Sequence, residues 1–325
     1  MFFSIIIPVY NRPEELAELL ESLTAQTYKH FEVVVIEDGS TKKSDVLCAG
    51  FAQKLAIQYY FQENTGQGFA RNAGFKLAKG DFFIILDSDC VLPSQYLTAV
   101  LKGIAAKNLD VFGAPDKAAK NFSPLQKALN YALTAPLSTG GLRGNHKSTY
   151  LPRSFNMGLH RRVWEKIGGF EITRLGEDLI YSLRMLAAGF QVGFLPNAFV
   201  YHKRRTSFLG FARQMQFFGR SRINVALHFP QSLKFVHFLP TFFLLGMLFA
   251  LFMAGFGAFD FLYMYVCYAL LVSIDAWTKE KNMRIALYAL WAVFLQHSCY
   301  GYGFLKDYLR CKICKQPNIA HEYPK

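Results

Sequence analysis

The chain reads as an α/β protein: a mainly parallel sheet flanked by helices, followed by an α-helical membrane region. Three observations lead there. Short β-branched and aromatic runs alternate with segments of helical period up to about residue 90, the pattern of βαβ units whose sheet is covered on both faces. Polar, ligand-type residues follow those runs in a repeated way. After residue 235 the apolar residues come in long, nearly charge-free runs, the length needed to cross a bilayer.

Taken in order, residues 3–9 form a buried strand ended by Pro8 and Asn11. Asn11-Arg12-Pro13-Glu14 reads as a helix start. Asn11 is the expected N-cap, Pro13 sits in the first turn and Glu14 takes the capping-box position. Leu16, Leu19, Leu20 and Leu23 supply one apolar face. Residues 31–36 make a second strand, broken by Asp38-Gly39-Ser40, and 57–61 a third. Residues 66–79 read as a helix and 82–86 as a fourth strand. Tyr10-Asn11 follows the first strand, Glu37-Asp38 the second and Asp87-Ser88-Asp89 the fourth, so these groups gather at one sheet edge. Ligands of such sheets bind beyond the carboxyl ends of the strands. Turn chemistry accounts for any one of these polar groups, and less well for all of them together.

The stretch FFIILDSDC, residues 82–90, sharpens the point. Asp87 and Asp89, one residue apart where a buried strand breaks, can turn toward one cation. Mg²⁺ or Mn²⁺ takes oxygen ligands and keeps positions for phosphate oxygens and water. Such an ion clamps a diphosphate and stabilises it as a leaving group. Arg71 lies in NTGQGFARN, where Gly66 and Gly68 allow close backbone approach and the following helix start favours phosphate. A D-x-D triplet by itself is common in loops; its weight here comes from the strand before it and the turn after it.

The segments SIIIPVYNRPEELAELLESLTAQTYKHFEVVVIEDGSTKKS, NTGQGFARNAGFKLAKGDFFIILDSDC and GGFEITRLGEDLIYSLRMLAAG together resemble a family 2 glycosyltransferase over about the first two hundred residues. The resemblance implies a GT-A fold, a Rossmann-like α/β domain that binds a nucleoside diphosphate sugar. Pro8, Tyr10 and Asp38 match the positions that hold the nucleoside base, and Arg71 the arginine of the donor site. Asp87 matches the ribose and metal position, Asp89 the main metal ligand, and Asp178 the catalytic base, with Glu177 beside it. Glu37 stands where Asp is commoner in the family. His202, in VYH, is a candidate third metal ligand, although a lone histidine is more often a surface or hydrogen-bonded residue. Glu177 and Asp178 also open a helix running to about residue 188, where a first-turn acid is favoured by the helix dipole alone. That positive helix end favours the ionised carboxylate and weakens it as a base, so geometry has to supply much of the catalysis.

The formal net charge of +13 admits nucleic acid as a partner, but its placement argues against it. Arg161-Arg162, Lys203-Arg204-Arg205 and Arg220 with Arg222 precede the apolar runs, and Lys279, Lys281, Arg284, Lys306, Arg310, Lys312 and Lys315 flank them. Basic residues beside membrane segments attract anionic lipid and mark the cytoplasmic side. The six cysteines have no disulfide-framework spacing and read as reduced thiols. Cys311 and Cys314 form a lone CxxC, with His321 a weak helper for zinc. The opening FFSIIIPV lacks a basic leader and a cleavage site, so it reads as a strand and not a signal peptide.

The expected organisation is a GT-A domain over 1–205, an amphipathic interfacial segment over 206–234 and a membrane region over 235–325 with a basic tail. Residues 206–226, and also 122–137, suit helices lying at a membrane surface. Runs at 235–259, 261–274 and 285–305 give two or three transmembrane helices: hydropathy favours three, and the basic tail favours two spans with a re-entrant or in-plane third segment. The function expected is an inverting, metal-dependent transferase at the cytoplasmic face of the inner (plasma) membrane, its inversion implied by the resemblance. Its partners would be a nucleoside diphosphate sugar and a lipid-linked or glycan acceptor of envelope glycan synthesis. The rival is a non-catalytic sugar-nucleotide-binding membrane module that recruits a partner; intact Asp87, Asp89 and Asp178 argue against it. A nucleotidyltransferase would carry a Gly-rich, Lys-bearing loop after the first strand, where Tyr10-Asn11-Arg12-Pro13 stands instead.

Overall fold

The structure is a computed structural model describing residues 1–117, 122–139, 150–203 and 205–313. In chain order the elements begin with β1 (Phe3–Val9), α1 (Pro13–Thr24), β2 (Phe31–Asp38), α2 (Asp45–Phe51), β3 (Ile57–Gln62), α3 (Gln67–Leu77) and β4 (Phe82–Leu86). They continue with β5 (Cys90–Val91), α4 (Tyr96–Lys107), β6 (Val111–Gly113), β7 (Asp116–Lys117), α5 (Pro124–Thr134), α6 (Pro136–Thr139), β8 (Asn156–His160) and α7 (Arg161–Ile167). The remainder are α8 (Glu177–Ala187), β9 (Val192–Phe194), β10 (Val200–His202), α9 (Phe208–His228), α10 (Leu239–Ala254), α11 (Asp260–Glu280) and α12 (Met283–Tyr308). The described residues fall into two compact units, 1–117 with 150–203, and 122–139 with 205–313.

The first unit is built on a seven-stranded sheet of order β3-β2-β1-β4-β8-β6-β9. β1 to β4 pair in parallel, β8 runs antiparallel to β4 and β6, and β6 pairs in parallel with β9. This is the expected mainly parallel, helix-flanked sheet. The period-2 alternation of the strands sorts their side chains between two faces. Ile5, Ile7, Val33, Val35 and Ile84 pack with Leu16, Leu19, Leu20 and Leu23 of α1. Ile6, Val34, Ile36, Phe83 and Ile85 pack with Ala70 and Phe75 of α3 and Tyr181 and Met185 of α8. The α1 leucines are fully buried, and each contributes about 1.5–3 kcal/mol of apolar transfer.

One local expectation is corrected. Arg12, not Asn11, is the N-cap of α1, and no side chain caps it. Asn11 adopts φ +53°, and its Oδ1 instead accepts from the Thr41 and Lys42 amides, both at 2.9 Å. An Asn tolerates the left-handed region and competes for nearby backbone donors, so it ties the end of β1 to the loop after β2. A second, three-stranded sheet of order β5-β10-β7 sets His202 opposite Cys90.

The second unit is helical. Ala128, Leu129 and Ala132 of α5, Phe211 and Met215 of α9, Val272 and Ala276 of α11, and Ala286, Ala289 and Val293 of α12 share one core. A Cβ at Gly219 would collide with the Tyr300 carbonyl and one at Gly303 with the Gln216 carbonyl, so α9 and α12 touch backbone to backbone. The 206–226 and 122–137 stretches are helical as expected, but Phe211, Met215 and Leu129 turn into this core. The 235–259 run is shorter as a helix than its apolar length suggests. A 3₁₀ turn occupies Phe235–His237, and α10 covers 16 residues from Leu239 to Ala254, with Pro240 in its first turn and Gly257 at φ +82° just beyond its end. Among the described residues α11 alone is both long and apolar enough to cross a membrane. Arg204, Cys314, His321 and Lys315 lie outside the described residues.

Candidate active site

The site forms at the carboxyl edge of β1, β2 and β4, where the sheet meets the start of α8. Asp38, at the end of β2, is 3% exposed and works within the protein. Its carboxylate accepts from Gln62 Nε2 at 2.8 Å, the Thr65 amide at 2.9 Å and the Gly66 amide at 2.8 Å. It therefore holds the loop that leads into α3. Glu37 beside it accepts from the Ser40 hydroxyl and, at 2.8 Å, from the Ser44 amide. Pro8 is half-buried and Tyr10 exposed, both at the mouth of the edge.

Gly66 and Gly68 differ from expectation. A Cβ at Gly66, whose φ is +90°, would strike the Thr173 hydroxyl, and one at Gly68 would sit 2.5 Å from the Ile172 carbonyl. The close approach these glycines permit is by the chain itself: the Gly68 amide donates to Thr173 Oγ1 at 3.2 Å.

That contact places α3 against the turn before α8 and brings Arg71 to the centre. Arg71 is 1% exposed. Its guanidinium lies 3.0 Å from Asp87 Oδ1, 3.4 Å from Glu177 Oε1 and 5.5 Å from the Phe170 ring centre. Glu177 also accepts from Gln67 Nε2. Burial, then the neighbouring Asp178, push the Glu177 carboxyl up to about 7 against the pull of Arg71. Leu175 and Gly176 precede it with φ of +63° and +92°, a left-handed pair that turns the chain sharply into α8. A leucine in that region stores strain of order 1–3 kcal/mol. Asp178 points elsewhere: its Oδ2 lies 3.1 Å from Arg153 Nε, and its Oδ1 accepts from the Leu179 amide at 2.8 Å.

Asp89 and His202 meet on the second sheet. Asp89 Oδ2 pairs with Arg12 at 2.7 Å, and Oδ1 lies 3.0 Å from His202 Nε2. His202 stacks on Phe155 at 5.2 Å and has Asp116 3.8 Å from its Nδ1. Burial raises the Asp89 carboxyl, but His202 and Arg12 outweigh it and hold it down at about 2. Burial likewise lowers the His202 imidazole, but Asp116 and Asp89 carry it up to about 10.

A divalent cation fits this donor set. Asp89 Oδ1 is buried and faces His202 Nε2. Its distance to His202 Nε2 is that of adjacent ligands on one octahedral ion, about 3 Å for bonds of about 2.1 Å. Ligand atoms of Asp89, Cys90 and His202 lie within 4.8 Å of one another. Cys90 is a poor donor for Mg²⁺ or Mn²⁺, because burial, then Asp87 and Asp89, keep its thiol protonated and sulfur is too soft. Asp87 is held toward Arg71 and stands outside that cluster.

The structure thus brings together Asp38, Arg71, Asp87, Glu177 and, on the adjoining sheet, Asp89 and His202. Sequence reasoning missed Arg12, Gln67, Asp116, Arg153 and Phe155. Arg12 was legible, since it lies at the same strand end as Tyr10. Arg153 and Phe155 carry no local signal; only the β4–β8 pairing puts them here.

The glycosyl transferase family 2 profile matches residues 4–168, half of the chain, and the chain belongs to that family. The succinoglycan biosynthesis protein ExoO of Rhizobium meliloti is 30% identical over 215 residues, covering 62% of this chain and 61% of ExoO. Glycosyltransferase GlyA of Streptococcus pneumoniae is 37% identical over 109 residues, 33% of this chain and 16% of GlyA. The chain therefore matches less than two thirds of these relatives' lengths. In fold it is similar to the mannosyltransferase PcManGT of Pyrobaculum calidifontis, solved with GDP-Man and Mn²⁺. The TM-score is 0.59 at 18% identity, covering 94% of this chain and 86% of that one. The fold is GT-A.

Proposed function

We propose that the chain is a metal-dependent, inverting glycosyltransferase that moves a sugar from a nucleoside diphosphate sugar to a lipid-linked or polysaccharide acceptor. It works at the cytoplasmic face of a plasma membrane, with the unit of residues 1–117 and 150–203 as the transferase domain and 235–325 as the membrane region. The observation that supports this most is the buried Arg71, shared by Asp87 and Glu177, in a chain of this family. A buried cation between two acids at a ligand-binding sheet edge is expensive to keep and marks a functional site.

In this reading Pro8, Tyr10 and Asp38 border the nucleoside. Asp38 acts by shaping the 62–66 loop, since its oxygens are engaged there. Arg71 orients Asp87 toward the ribose and diphosphate. Asp89 and His202 would hold the divalent cation, and Arg12 fixes the Asp89 carboxylate. When bound, the cation neutralises the departing diphosphate. Asp178 takes the proton from the acceptor hydroxyl as that oxygen attacks the anomeric carbon. Before it does so, Arg153 has to yield, because its guanidinium occupies Asp178 Oδ2 at 3.1 Å. Glu177 positions Arg71. The ExoO relationship favours a polysaccharide acceptor.

A donor screen tests the proposal. The detergent-solubilised protein is melted with GDP-, UDP- and dTDP-sugars, with Mn²⁺ or with EDTA. The proposal requires at least one donor to raise the melting temperature with Mn²⁺ and to lose that effect in EDTA. Absence of any nucleotide-sugar effect contradicts it.

A further inference from the structure

Asp260 is the one Asp, Glu, Lys or Arg between Phe238 and Ile274, and α10 and α11 form a hairpin over that stretch. α12 crosses the base of the hairpin. Its N-terminal half packs on Val272 and Ala276 of α11. Its middle meets Tyr268 and Phe243 through Phe294 and His297. Its C-terminal half reaches α10, where Thr241 Oγ1 donates to the Gly301 carbonyl at 3.2 Å, and then Phe238 through Phe304 at 4.9 Å. α5 and α6 reach the same level: Tyr131 donates to Asp275 at 2.5 Å and Tyr268 to the Leu137 carbonyl at 2.9 Å.

Beyond this base α10 and α11 run on paired with each other, Phe249 against Phe261 at 5.0 Å. Their outward side chains are apolar: Leu248, Phe252, Phe256, Phe259 and Met264 are 54%, 59%, 75%, 45% and 61% exposed. The projecting part of α10, residues 245–254, is about 15 Å long, half of the roughly 30 Å hydrocarbon thickness. The tip is closed on itself. The amides of Gly255, Phe256, Gly257 and Ala258 all donate to carbonyls of residues 251–254 at 3.0–3.3 Å, as chain in hydrocarbon requires. Asp260, in the first turn of α11, is the one acidic side chain the tip carries into the leaflet, where such a group is costly. The base carries the opposite chemistry: Lys234, Lys279, Lys281 and Arg284, with Trp277 and Trp291 exposed, the residues of a headgroup layer.

We propose that the α10–α11 hairpin is a lipid wedge. It passes through one anionic leaflet to about the bilayer midplane without crossing, and α12 lies along the headgroups with Leu287 and Trp291 facing lipid. Both ends of the hairpin then stay on the same side. This rests on the membrane attachment proposed above, and the experiment separates the two.

The full-length protein is added from detergent to preformed sealed vesicles of phosphatidylglycerol and phosphatidylethanolamine. In a Cys267→Ala/Cys299→Ala/Cys311→Ala/Cys314→Ala background, which leaves only the buried Cys48 and Cys90, Phe256→Cys and Phe259→Cys report the tip and Glu280→Cys the base. The wedge requires Glu280→Cys to react with an external membrane-impermeant maleimide. Both tip cysteines should stay protected from inside and outside. A bimane placed at either tip position should be quenched several-fold more by lipid spin-labelled at acyl carbon 12 than at carbon 5 or at the headgroup. Tip labelling from the vesicle lumen alone overturns the wedge and leaves attachment standing. Tip labelling from outside, with protein lost in a salt wash, overturns both. A tip that is protected yet unquenched by any lipid probe packs against a second copy, and also overturns the proposal.

Discussion

Replacing Arg71 with methionine perturbs the residue on which the site's electrostatics turn. The guanidinium is buried, 3.0 Å from Asp87 and 3.4 Å from Glu177. Methionine keeps an unbranched apolar chain and removes the charged group that lies over Phe170. Glu177, already raised to about 7 with Arg71 beside it, is then a buried acid with no cation and holds its proton more tightly still. Removing one partner of a buried ion pair costs about 3–5 kcal/mol. In a domain of this size each kcal/mol moves the melting temperature by about 2–4 °C, so the expected loss is on the order of 10 °C. Calorimetric melting of the full-length protein in detergent reads it. The double variant Arg71→Met/Glu177→Gln carries a neutral amide where the stranded acid was, and should regain much of the loss. A single variant melting within about 2 °C of wild type, or a double variant no better than the single one, refutes the reasoning.

Other consequences follow from the same geometry. Glu177 has its carboxyl raised from 4.5 to about 7, so the folded state binds its proton more tightly than the unfolded chain does. Stability from this group is therefore full below pH 4.5 and declines as pH rises to 7, by up to about 3 kcal/mol; Glu177→Gln should flatten that slope in pH-dependent melts. Asp89→Asn and His202→Ala should each weaken Mn²⁺ binding in the presence of nucleoside diphosphate by at least about tenfold, the Asp89 change more, as calorimetric titration would show. Gly66→Ala forces a left-handed alanine against Thr173 and should cost more than about 1 kcal/mol in melting. Truncation after Leu233 removes α12, against which α5 and α9 pack. The remainder should elute as aggregate in gel filtration, and a clean monomer would show the core assignment to be wrong.

The parts legible in the sequence were those set by local rules. β1 to β4 announce themselves because strands buried on both faces are continuous apolar runs, and the α1 leucines repeat at helical spacing. The acids at the strand ends were visible because each follows such a run. β5 to β10 were not foreseen: most of them hold two or three residues, too few for any period to register. Their pairing, and not their composition, brings His202 to Asp89. The Asn11 cap failed because two local uses of one side chain competed, and the loop after β2 won it. Gly66 and Gly68 signalled a close approach correctly, while what approaches them, Thr173, lies far along the chain. The apolar length of 235–259 was read as helix from end to end, whereas Pro240 and the turn at Gly257 set shorter limits.

In the proposed reaction Asp178 acts on the acceptor while Asp89 serves the donor. Comparison of Asp178→Asn with wild type tests it most directly, with sugar transfer and donor affinity measured on the same preparation in Mn²⁺. The amide preserves the size and the α8 start but takes no proton. Transfer should fall by about 10²-fold or more, with donor affinity changed by less than about threefold. Transfer at near wild-type rate, or a loss wholly explained by weaker donor binding, contradicts the assignment of Asp178 as the base.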